Sequence, residues 1–396
     1  MVNKDKIRAY ALKNAVHYGG KANPGAIVSG LFAEGLKKGD VKKVMPKIQE
    51  IIKEISKLSL EEQKKDFEKF KDLISEREVR EGLPELPNAE NGVVTRIAPS
   101  PSGALHVGHA ITACLSYDYV RKYGGKFIVR IEDTNPENIY APAYDLIKKD
   151  SDFLFEGKEE FVIQSDRMDL YYSYAAALIE KGKAYVCNCS GEEFRDISRK
   201  KKDCPCRKKS VKENILNWEK MLDKKGFGEG EVVLRFKSNM KHKNPAMRDF
   251  PLARINLTAH PRKKKKYRVW PLMNLSVAVD DIEMGMTHII RAKEHRDNAE
   301  RQKMIFEVFE KEYPWTFFVG RIHFTDMNLS ASQITKDIKE GKYSGWDDPK
   351  LPTIQALMKK YKPEAFWKFS EHRGLSEVDK HLDKKEYFRL LDEFNK

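Results

Sequence analysis

The fold is decided by one stretch, Arg96-Ile97-Ala98-Pro99-Ser100-Pro101-Ser102-Gly103-Ala104-Leu105-His106-Val107-Gly108-His109. A short β-branched run precedes it and predicts a buried strand. The prolines, serines and glycine then force a turn, because neither a strand nor a helix interior tolerates them. From Gly108 a helical pattern continues to Gly124-Gly125, where glycine marks a helix C-terminus. The order strand, loop, helix predicts an α/β domain.

The start of this helix is a predicted anion site. Free backbone N–H groups and the positive end of the helix dipole meet at the loop. His106 and His109 are three residues apart, so they face the same side of the helix and can donate to phosphate oxygens. Gly108 has no Cβ and lets a nucleotide approach the backbone. Taken alone, H-x-G-H also fits two ordinary loop histidines or half of a metal site.

Two further apolar segments end in charged residues. Lys126–Asp133 reads as a strand with Glu132 near its carboxyl end, and 285–295 reads as a strand followed by Arg291, Glu294 and His295. Ligands of doubly wound sheets bind beyond the carboxyl ends of the strands, which predicts a site there. A solvated strand edge is the alternative interpretation for Glu132.

The cysteines form two close pairs, Cys187-Asn188-Cys189 and Cys204-Pro205-Cys206. Four thiolates in this arrangement predict a closed tetrahedral zinc site, structural rather than catalytic. Disulfides are the competing interpretation, which a chain without a signal-peptide core disfavours.

Composition constrains the partners. The 396 residues carry a net charge of +14, and the segment 207–267 is strongly basic with interleaved aromatic residues, which predicts contact with a nucleic-acid backbone. No apolar run reaches the length of a membrane span, and the N-terminus has no signal-peptide core. These features predict a cytoplasmic protein without a membrane partner.

Several motifs together resemble one family. R-x-A-P-S-P-S-G-x-L-H-x-G-H is similar to the signature of class I glutamyl- and glutaminyl-tRNA synthetases of the archaeal type. R-I-E-D-T around Glu132, G-M-T-H-I-I-R-A-K-E-H at 285–295 and S-G-W-D-D-P-K-L-P-T at 344–353 resemble further elements of that family. The resemblance implies ATP-dependent formation of glutamyl-adenylate, with Mg²⁺ bound to the ATP. It also implies transfer of the glutamyl group to the 3′-terminal ribose of tRNA, with activation that requires bound tRNA.

The resemblance also implies an architecture. It predicts a Rossmann-type parallel sheet with a zinc-bearing acceptor-binding insertion. The predicted divisions are an N-terminal helical extension (1–90), a first catalytic half (91–166), the insertion (167–268), a second catalytic half (269–325), and an ATP-loop and helical stem-contact region (326–396). Family members continue into a β-barrel that binds the anticodon. No β-rich segment follows Asp348 in this sequence, so we expect this chain to lack that region. A monomer that binds the tRNA acceptor stem is expected.

The resemblance assigns roles to individual residues. The predicted catalytic residues are His106, His109 and Lys336. The predicted ATP-binding residues are Pro99, Gly108, Glu294, Ser330 and Ser332. The predicted glutamate-binding residues are Arg96, Ala98, Ser100, Glu132, Asn274 and Arg291. The predicted zinc ligands are Cys187, Cys189, Cys204 and Cys206. Arg96 also suits the substrate side chain chemically, because a guanidinium binds a carboxylate through two parallel hydrogen bonds.

Two positions depart from the family pattern. Gln333 stands where the second ATP signature, L-S-x-S-K, has a lysine, and a neutral amide cannot stabilise the pyrophosphate charge. Lys336, three residues on, is the candidate to replace it. Met273 stands where the bacterial pattern has tyrosine. The alternatives are therefore a shortened paralogue that glutamylates another acceptor, an enzyme that uses glutamine, and a weakly active or silent tRNA-binding protein.

Overall fold

The computed structural model describes residues 3–74 and 82–396, and the chain divides into two compact units between residues 81 and 82. Four helices around an apolar core form the first unit, α1 (Lys4–His17), α2 (Pro24–Ala33), α3 (Val41–Ile55) and α4 (Leu60–Phe70). Residues 75–81 of the predicted N-terminal extension lie outside the described part. Residues 82–90 of that extension belong to the second unit, where Leu86 and Ala89 share a buried cluster with Val93.

The second unit alternates strands and helices through most of its length. In chain order its elements are β1 (Val93–Ile97), α5 (Val107–Tyr123), β2 (Gly125–Ile131), α6 (Ala143–Phe155), β3 (Glu160–Ile163), α7 (Met168–Glu180), β4 (Ala184–Cys187), α8 (Gly191–Arg199), α9 (Val211–Leu222), β5 (Val233–Phe236), β6 (Pro251–Ile255), β7 (Val269–Pro271), α10 (Met273–Glu283), β8 (His288–Ala292), α11 (Arg296–Val308), β9 (Trp315–Val319), β10 (Ile322–Phe324), α12 (Ala331–Lys339), α13 (Ile354–Leu357), α14 (Pro363–Arg373), β11 (Lys380–Leu382) and α15 (Lys384–Phe394). In the described ranges, no helix has both the length and the apolar character that a bilayer crossing requires.

A parallel sheet organises the catalytic part of this unit. Strands β1, β2 and β3 pair in that order, and β8 pairs with β9, all in parallel. The two groups meet where Thr287 donates its N–H to the Val94 carbonyl at 3.1 Å and accepts from the Val94 N–H on its Oγ1 at 2.8 Å. Parallel order brings the carboxyl ends of β1, β2 and β8 to the same edge of the sheet.

A four-stranded antiparallel sheet, β4-β5-β6-β7, is inserted between the two halves of the parallel sheet. Its apolar side chains form a second core together with residues of α7, α9 and α10. Strand β7 closes this sheet, although the predicted division at residue 269 assigned it to the second catalytic half. The division of the unit into segments stays a prediction.

The signature loop is tied down on both sides. The Leu105 N–H donates to Asp150 Oδ2 at 2.7 Å, the Val107 N–H donates to the Pro352 carbonyl at 3.0 Å, and the Ile354 N–H donates to the Leu105 carbonyl at 2.8 Å. The loop therefore has a fixed path between β1 and α5, held by Asp150 and by two residues, Pro352 and Ile354, that are about 250 positions away in sequence.

Gly103 in this loop lies against the indole of Trp346. A Cβ built on Gly103 would lie 2.7 Å from Cζ2 of Trp346 and closer still to Cη2, and the indole is buried. We expect Gly103→Ala to lower the free energy of unfolding by about 1–3 kcal/mol, the usual cost of overpacking a closed core.

Thermal denaturation of Gly103→Ala beside Gly191→Ala checks this expectation. A Cβ on Gly191 would meet nothing closer than 3.9 Å, and its backbone already suits any residue. Equal melting temperatures for the two variants would show that the indole moves aside without cost.

Candidate active site

A cleft of about 640 Å³ opens at the carboxyl ends of β1 and β8, in front of the start of α5. Clefts of this size are typical of sites that bind small molecules. Its wall includes the predicted residues Arg96, Ala98, Ser100, His106, Gly108, His109, Glu132, Arg291 and Glu294. The other predicted residues of the site, Pro99, Asn274, Ser330, Ser332 and Lys336, are described but are not part of this wall. The sheet thus brings together residues that are up to 198 positions apart.

The two signature histidines form a stacked pair at the start of α5. Their ring centroids are 3.8 Å apart, with an angle of 21° between the planes. Nδ1 of His106 accepts hydrogen bonds from the N–H groups of Gly108 (3.1 Å) and His109 (3.4 Å), and Nδ1 of His109 accepts from the His106 N–H (3.4 Å). Since each Nδ1 is an acceptor, the proton of each neutral ring is on Nε2, which is the donor available to a ligand.

Burial keeps both imidazoles neutral. It lowers the pKa of His109 to about 4. It also holds the pKa of His106 well below the usual value, an effect that the neighbouring His109 increases. The pair therefore offers two neutral N–H donors beside the positive end of the α5 dipole.

Arg96 is held in place by an aspartate that is distant in sequence. Its Nε and Nη2 donate to Oδ1 and Oδ2 of Asp281 at 2.7 and 2.8 Å, and Asp281 also accepts from Nη1 of Arg130 at 2.7 Å. Burial alone would raise the pKa of Asp281, but the two guanidinium groups lower it to about 2. Arg130 continues the chain to Glu132, with an Nη2–Oε1 distance of 3.3 Å.

Arg291 is a second buried cation of the cleft. Its Nη1 donates to Oε1 of Gln302 at 2.8 Å, and its Nε has no hydrogen-bond partner among the described residues. Burial and the nearby charge of Arg96 lower the pKa of Arg291. Two neighbouring guanidinium groups create a place where an anion is stabilised.

Glu294 lies on the opposite part of the wall, in the turn that leads into α11. It forms an ion pair with Arg321, which also lines the cleft. Burial would raise the pKa of Glu294, but hydrogen bonds from its own backbone and from Arg321 lower it, so the carboxylate is ionised. An ionised carboxylate here can accept hydrogen bonds from hydroxyl or amino groups.

Two predicted residues lie behind the wall rather than on it. The Pro99 carbonyl accepts the Glu132 N–H at 2.9 Å and so holds the backbone of that glutamate. Asn274 is buried in α10, and its Oδ1 has no partner among the described residues. The same helix directs Met273 and Val277, one turn apart, to the cleft instead.

The second predicted ATP signature lies at the start of α12. Ser330 caps the helix by accepting the Gln333 N–H at 3.3 Å, and its Oγ lies 3.0 Å from Oγ of Ser332. Gln333 donates to Asp337 Oδ1 at 2.9 Å, whereas Lys336 is two-thirds exposed and lies 3.7 Å from a carboxylate oxygen of Glu340. In this arrangement Leu329 alone of residues 326–339 contributes to the cleft.

The four cysteines of the insertion converge on one point. The Sγ–Sγ distances are 3.7 Å for Cys187 and Cys204, 3.6 Å for Cys189 and Cys204, and 3.8 Å for Cys189 and Cys206. All four sulfur atoms lie within 4.8 Å of one another. A disulfide would need about 2.05 Å, whereas four thiolates around a tetrahedral zinc with 2.3 Å bonds stand about 3.8 Å apart. The cluster has the geometry to hold a metal ion.

Comparison with known proteins identifies the family. Residues 92–392 match the family described as tRNA synthetases class I (E and Q), catalytic domain. The chain belongs to this family. The predicted family and the predicted class I synthetase fold are thereby confirmed.

Individual proteins extend the match over nearly the whole chain. The glutamate–tRNA ligase of Methanocaldococcus jannaschii is 46% identical over 379 residues, which cover 95% of this chain and 68% of that protein. The glutamate–tRNA ligase of Methanobrevibacter smithii is 41% identical, over 97% of this chain and 70% of that protein. Among solved structures, the glutamate-tRNA synthetase of Elizabethkingia anophelis shares the fold, with a TM-score of 0.53, 19% identity and coverage of 75% of this chain and 69% of that one.

Sequence reasoning missed two residues that line this class I synthetase cleft, Arg321 and Arg373, and two buried acids behind it, Asp280 and Asp281, which hold arginines in place. Asp280 and Asp281 follow an apolar run in α10, and two adjacent acids on a buried helix are a usable signal of internal cations. Arg321 and Arg373 carry no comparable signal, since an arginine near a loop is most often a surface residue.

Proposed function

We propose that the chain ligates glutamate to tRNA at this cleft, in two steps. The observation that carries this proposal is the pair of buried guanidinium groups, Arg96 and Arg291, on a wall that also holds the carboxylate of Glu132. Glutamate has two carboxylates and one ammonium group, so its charges are complementary to this arrangement. The curated relatives are named for the same reaction.

The first step is attack of a glutamate carboxylate oxygen on the α-phosphorus of ATP. An O–P bond forms, the bond to the bridging oxygen breaks, and pyrophosphate leaves. His106 and His109 donate their Nε2–H groups to the phosphate oxygens, and the N-terminus of α5 stabilises the growing charge. The protein acts by positioning and electrostatics and forms no covalent intermediate.

The second step is attack of a hydroxyl of the 3′-terminal ribose of tRNA on the acyl carbon, with AMP as the leaving group. Glu294 and its partner Arg321 lie on the wall in a position to hold the ribose or the adenine of the nucleotide. Arg96 is assigned to the side-chain carboxylate of glutamate, Arg291 to the α-carboxylate, and Glu132 to the ammonium group. Ala98, Ser100 and Gly108 shape the surface between these groups, and Mg²⁺ enters with the ATP.

The same charges argue against glutamine. An amide brings no negative charge, so glutamine would lose the charge-assisted hydrogen bond that Arg96 donates to the side-chain carboxylate of glutamate, although Arg96 keeps Asp281 as its counter-ion. The assignment of Asn274 to the amino acid, and of Ser330 and Ser332 to ATP, stays a prediction. So do the monomeric state and the cytoplasmic location.

ATP–pyrophosphate exchange tests the proposal. Exchange is measured with glutamate or glutamine, in the presence and in the absence of tRNA. We expect exchange with glutamate and tRNA together. A preference for glutamine would contradict the charge argument, and tRNA binding without any exchange would favour a silent RNA-binding protein.

The role of Lys336 is tested in the same assay. Lys336 is the cation proposed to replace the missing lysine. The substitution Lys336→Ala should lower the exchange rate about tenfold or more, because a cation directed at the phosphates is lost. Lys339→Ala, on the same helix, is the control. An unchanged rate for Lys336→Ala would show that the exposed position next to Glu340 is also its position during catalysis.

We propose that the metal of the cysteine cluster is structural zinc. Four thiolates without a free ligand position favour Zn²⁺ in a closed site, which supports the fold rather than the reaction. We expect one zinc per chain by elemental analysis. Cys204→Ser should lose most of the metal and melt at a lower temperature, whereas Cys114→Ser, outside the cluster, should keep it. Full zinc content in Cys204→Ser would exclude this ligand set.

A further inference from the structure

His260 is a buried histidine of the insertion, between β6 and β7, that has no part in the cleft described above. Its ring stacks on Trp270, with the centroids 5.0 Å apart and an angle of 14° between the planes. Its Nδ1 accepts the N–H groups of Arg262 and Lys263, each at 3.1 Å. A ring whose Nδ1 accepts hydrogen bonds has its proton on Nε2. The fold therefore fixes both the orientation and the tautomer of His260.

The Nε2–H of His260 is directed at Asp133, the residue that follows Glu132. Nε2 lies 3.1 Å from the main-chain oxygen of Asp133 and 3.3 Å from its Oδ2. Asp133 is also buried, and its carboxylate accepts from the Tyr144 hydroxyl at 2.8 Å and from the Ser165 N–H at 2.7 Å. One imidazole thus holds both the main chain and the side chain of the residue next to Glu132.

Glu132 is held on its other side as well. Its N–H donates to the Pro99 carbonyl at 2.9 Å, and its Oε1 accepts from Arg130 at 3.3 Å. Glu132 lines the cleft, whereas Asp133 is buried against the insertion. Peptide groups are planar, so fixing the groups before and after a residue leaves its side chain little choice of direction. The contacts of Asp133 therefore help to determine where the Glu132 carboxylate points.

We propose that His260 is a positioning residue for recognition of the amino acid. Through Asp133 it holds Glu132 in the direction that binds the α-ammonium group of glutamate, without touching the substrate itself. This inference rests on the proposed function, which assigns the ammonium group to Glu132. A binding group that is fixed before the ligand arrives loses less conformational freedom on binding, so its contact contributes more to affinity.

Glutamate and glutarate isolate this role, because glutarate differs from glutamate only in lacking the α-ammonium group. Their dissociation constants are measured by titration calorimetry on the complex of the protein with tRNA, without ATP. The result is expressed as the ratio of the glutarate constant to the glutamate constant. An inactive fraction of protein leaves this ratio unchanged, so a merely structural defect does not move it. For the wild type we expect a ratio of about ten or more, since a charge-assisted hydrogen bond distinguishes the two ligands.

Three variants change the contacts of Asp133 to different extents. His260→Phe keeps the aromatic ring but has no N–H, and should lower the ratio about threefold or more. Tyr144→Phe removes one hydroxyl donor and disturbs the core less, and should lower the ratio about twofold. His260→Gln offers an amide N–H to Asp133 and should recover most of the wild-type preference. The control is Tyr174→Phe, which removes a hydroxyl that donates to a different carboxylate, Glu283, at 2.5 Å, and should leave the ratio unchanged.

Glu132→Gln separates this inference from the function on which it rests. It should bring the ratio to within about twofold of 1, and a full preference for glutamate in this variant would refute the ammonium role of Glu132. If Glu132→Gln loses the preference while His260→Phe and Tyr144→Phe keep the wild-type ratio, the positioning role of His260 is overturned and the proposed function stands. Should His260→Phe fail to fold, an unchanged ratio in Tyr144→Phe overturns it alone. Glutamate charging by the wild type is measured separately, and its absence would refute the proposed function, while the binding ratio needs no catalysis.

Discussion

Replacing His109 by alanine is expected to slow glutamyl-adenylate formation by roughly 10²–10³-fold, the usual effect of losing one preorganised donor to a developing charge. The side chain is partly buried, its ring is stacked on His106, and it lines the cleft, where its Nε2–H is the donor left free by the backbone hydrogen bond to Nδ1. The rate is measured as pre-steady-state formation of pyrophosphate at saturating glutamate, ATP and tRNA.

His381→Ala is the matched control, because His381 is also stacked on another histidine, His323, but outside the cleft. Its rate should stay within twofold of the wild type. A loss of less than threefold in His109→Ala would show that the imidazole does not contact the transition state. His106→Ala is less suitable for this purpose, since His106 also caps α5 and its loss would destabilise the helix.

The pH dependence follows from the same burial. The pKa of His109 is lowered to about 4, and that of His106 lies well below its usual value, so both rings stay neutral as the pH falls from 8 to 6. A lowered pKa means that protonation, and with it loss of the neutral donor pair, comes only as the pH approaches 4. The adenylation rate should therefore show no inflection near pH 6.5 from these groups, where an ordinary histidine would titrate.

The second large effect is expected for Arg96→Ala, which should raise the KM for glutamate about 100-fold. The guanidinium is fixed by two hydrogen bonds to Asp281, so its geometry is set before the substrate arrives. A charge-assisted hydrogen bond contributes about 1.5–3 kcal/mol, and a factor of 100 corresponds to about 2.8 kcal/mol, in the upper part of this range. Steady-state aminoacylation with varied glutamate gives the KM.

Two further variants separate recognition from stability. Arg96→Lys keeps the charge but not the paired hydrogen bonds, and should recover only part of the affinity. Arg389→Ala removes an exposed arginine that is paired with Glu393 and should leave the KM unchanged. If Arg96→Ala lowered kcat and left the KM for glutamate unaltered, the assignment of Arg96 to the substrate carboxylate would be refuted.

Local sequence was sufficient for the parts of the cleft that follow one another along the chain. The run 96–109 contains the end of a strand, a loop without regular structure and the start of a helix, so its turn and its two histidines could be placed without the fold. Glu132 and Arg291 were found because Glu132 follows one apolar strand and Arg291 lies near the carboxyl end of another, and parallel strands end at one edge. The C-x-C pairs were enough to predict a metal cluster, since the ligands are close in sequence.

Partners that are distant in sequence could not be found in this way. Nothing near Arg96 indicates that its carboxylate partner is Asp281, 185 positions later, or that Arg130 joins the same pair. Which side chains of α10 face the cleft also depends on how that helix is rotated in the fold. Met273 and Val277 line the cleft, and Asn274 does not. Only the folded chain shows that Arg207, in the basic segment 207–267, is neutralised by Asp249.

The amino-acid sequence by itself determined the family, the order of strands and helices around the signature loop, and the chemical groups that belong to the cleft and the metal cluster. These features depend on backbone preferences and side-chain periodicity, which act over a few residues. The tertiary structure decided which charges neutralise one another and which side chains line the 640 Å³ cleft. Such pairings depend on packing between distant segments, because a buried charge is stable only where the fold brings it a partner.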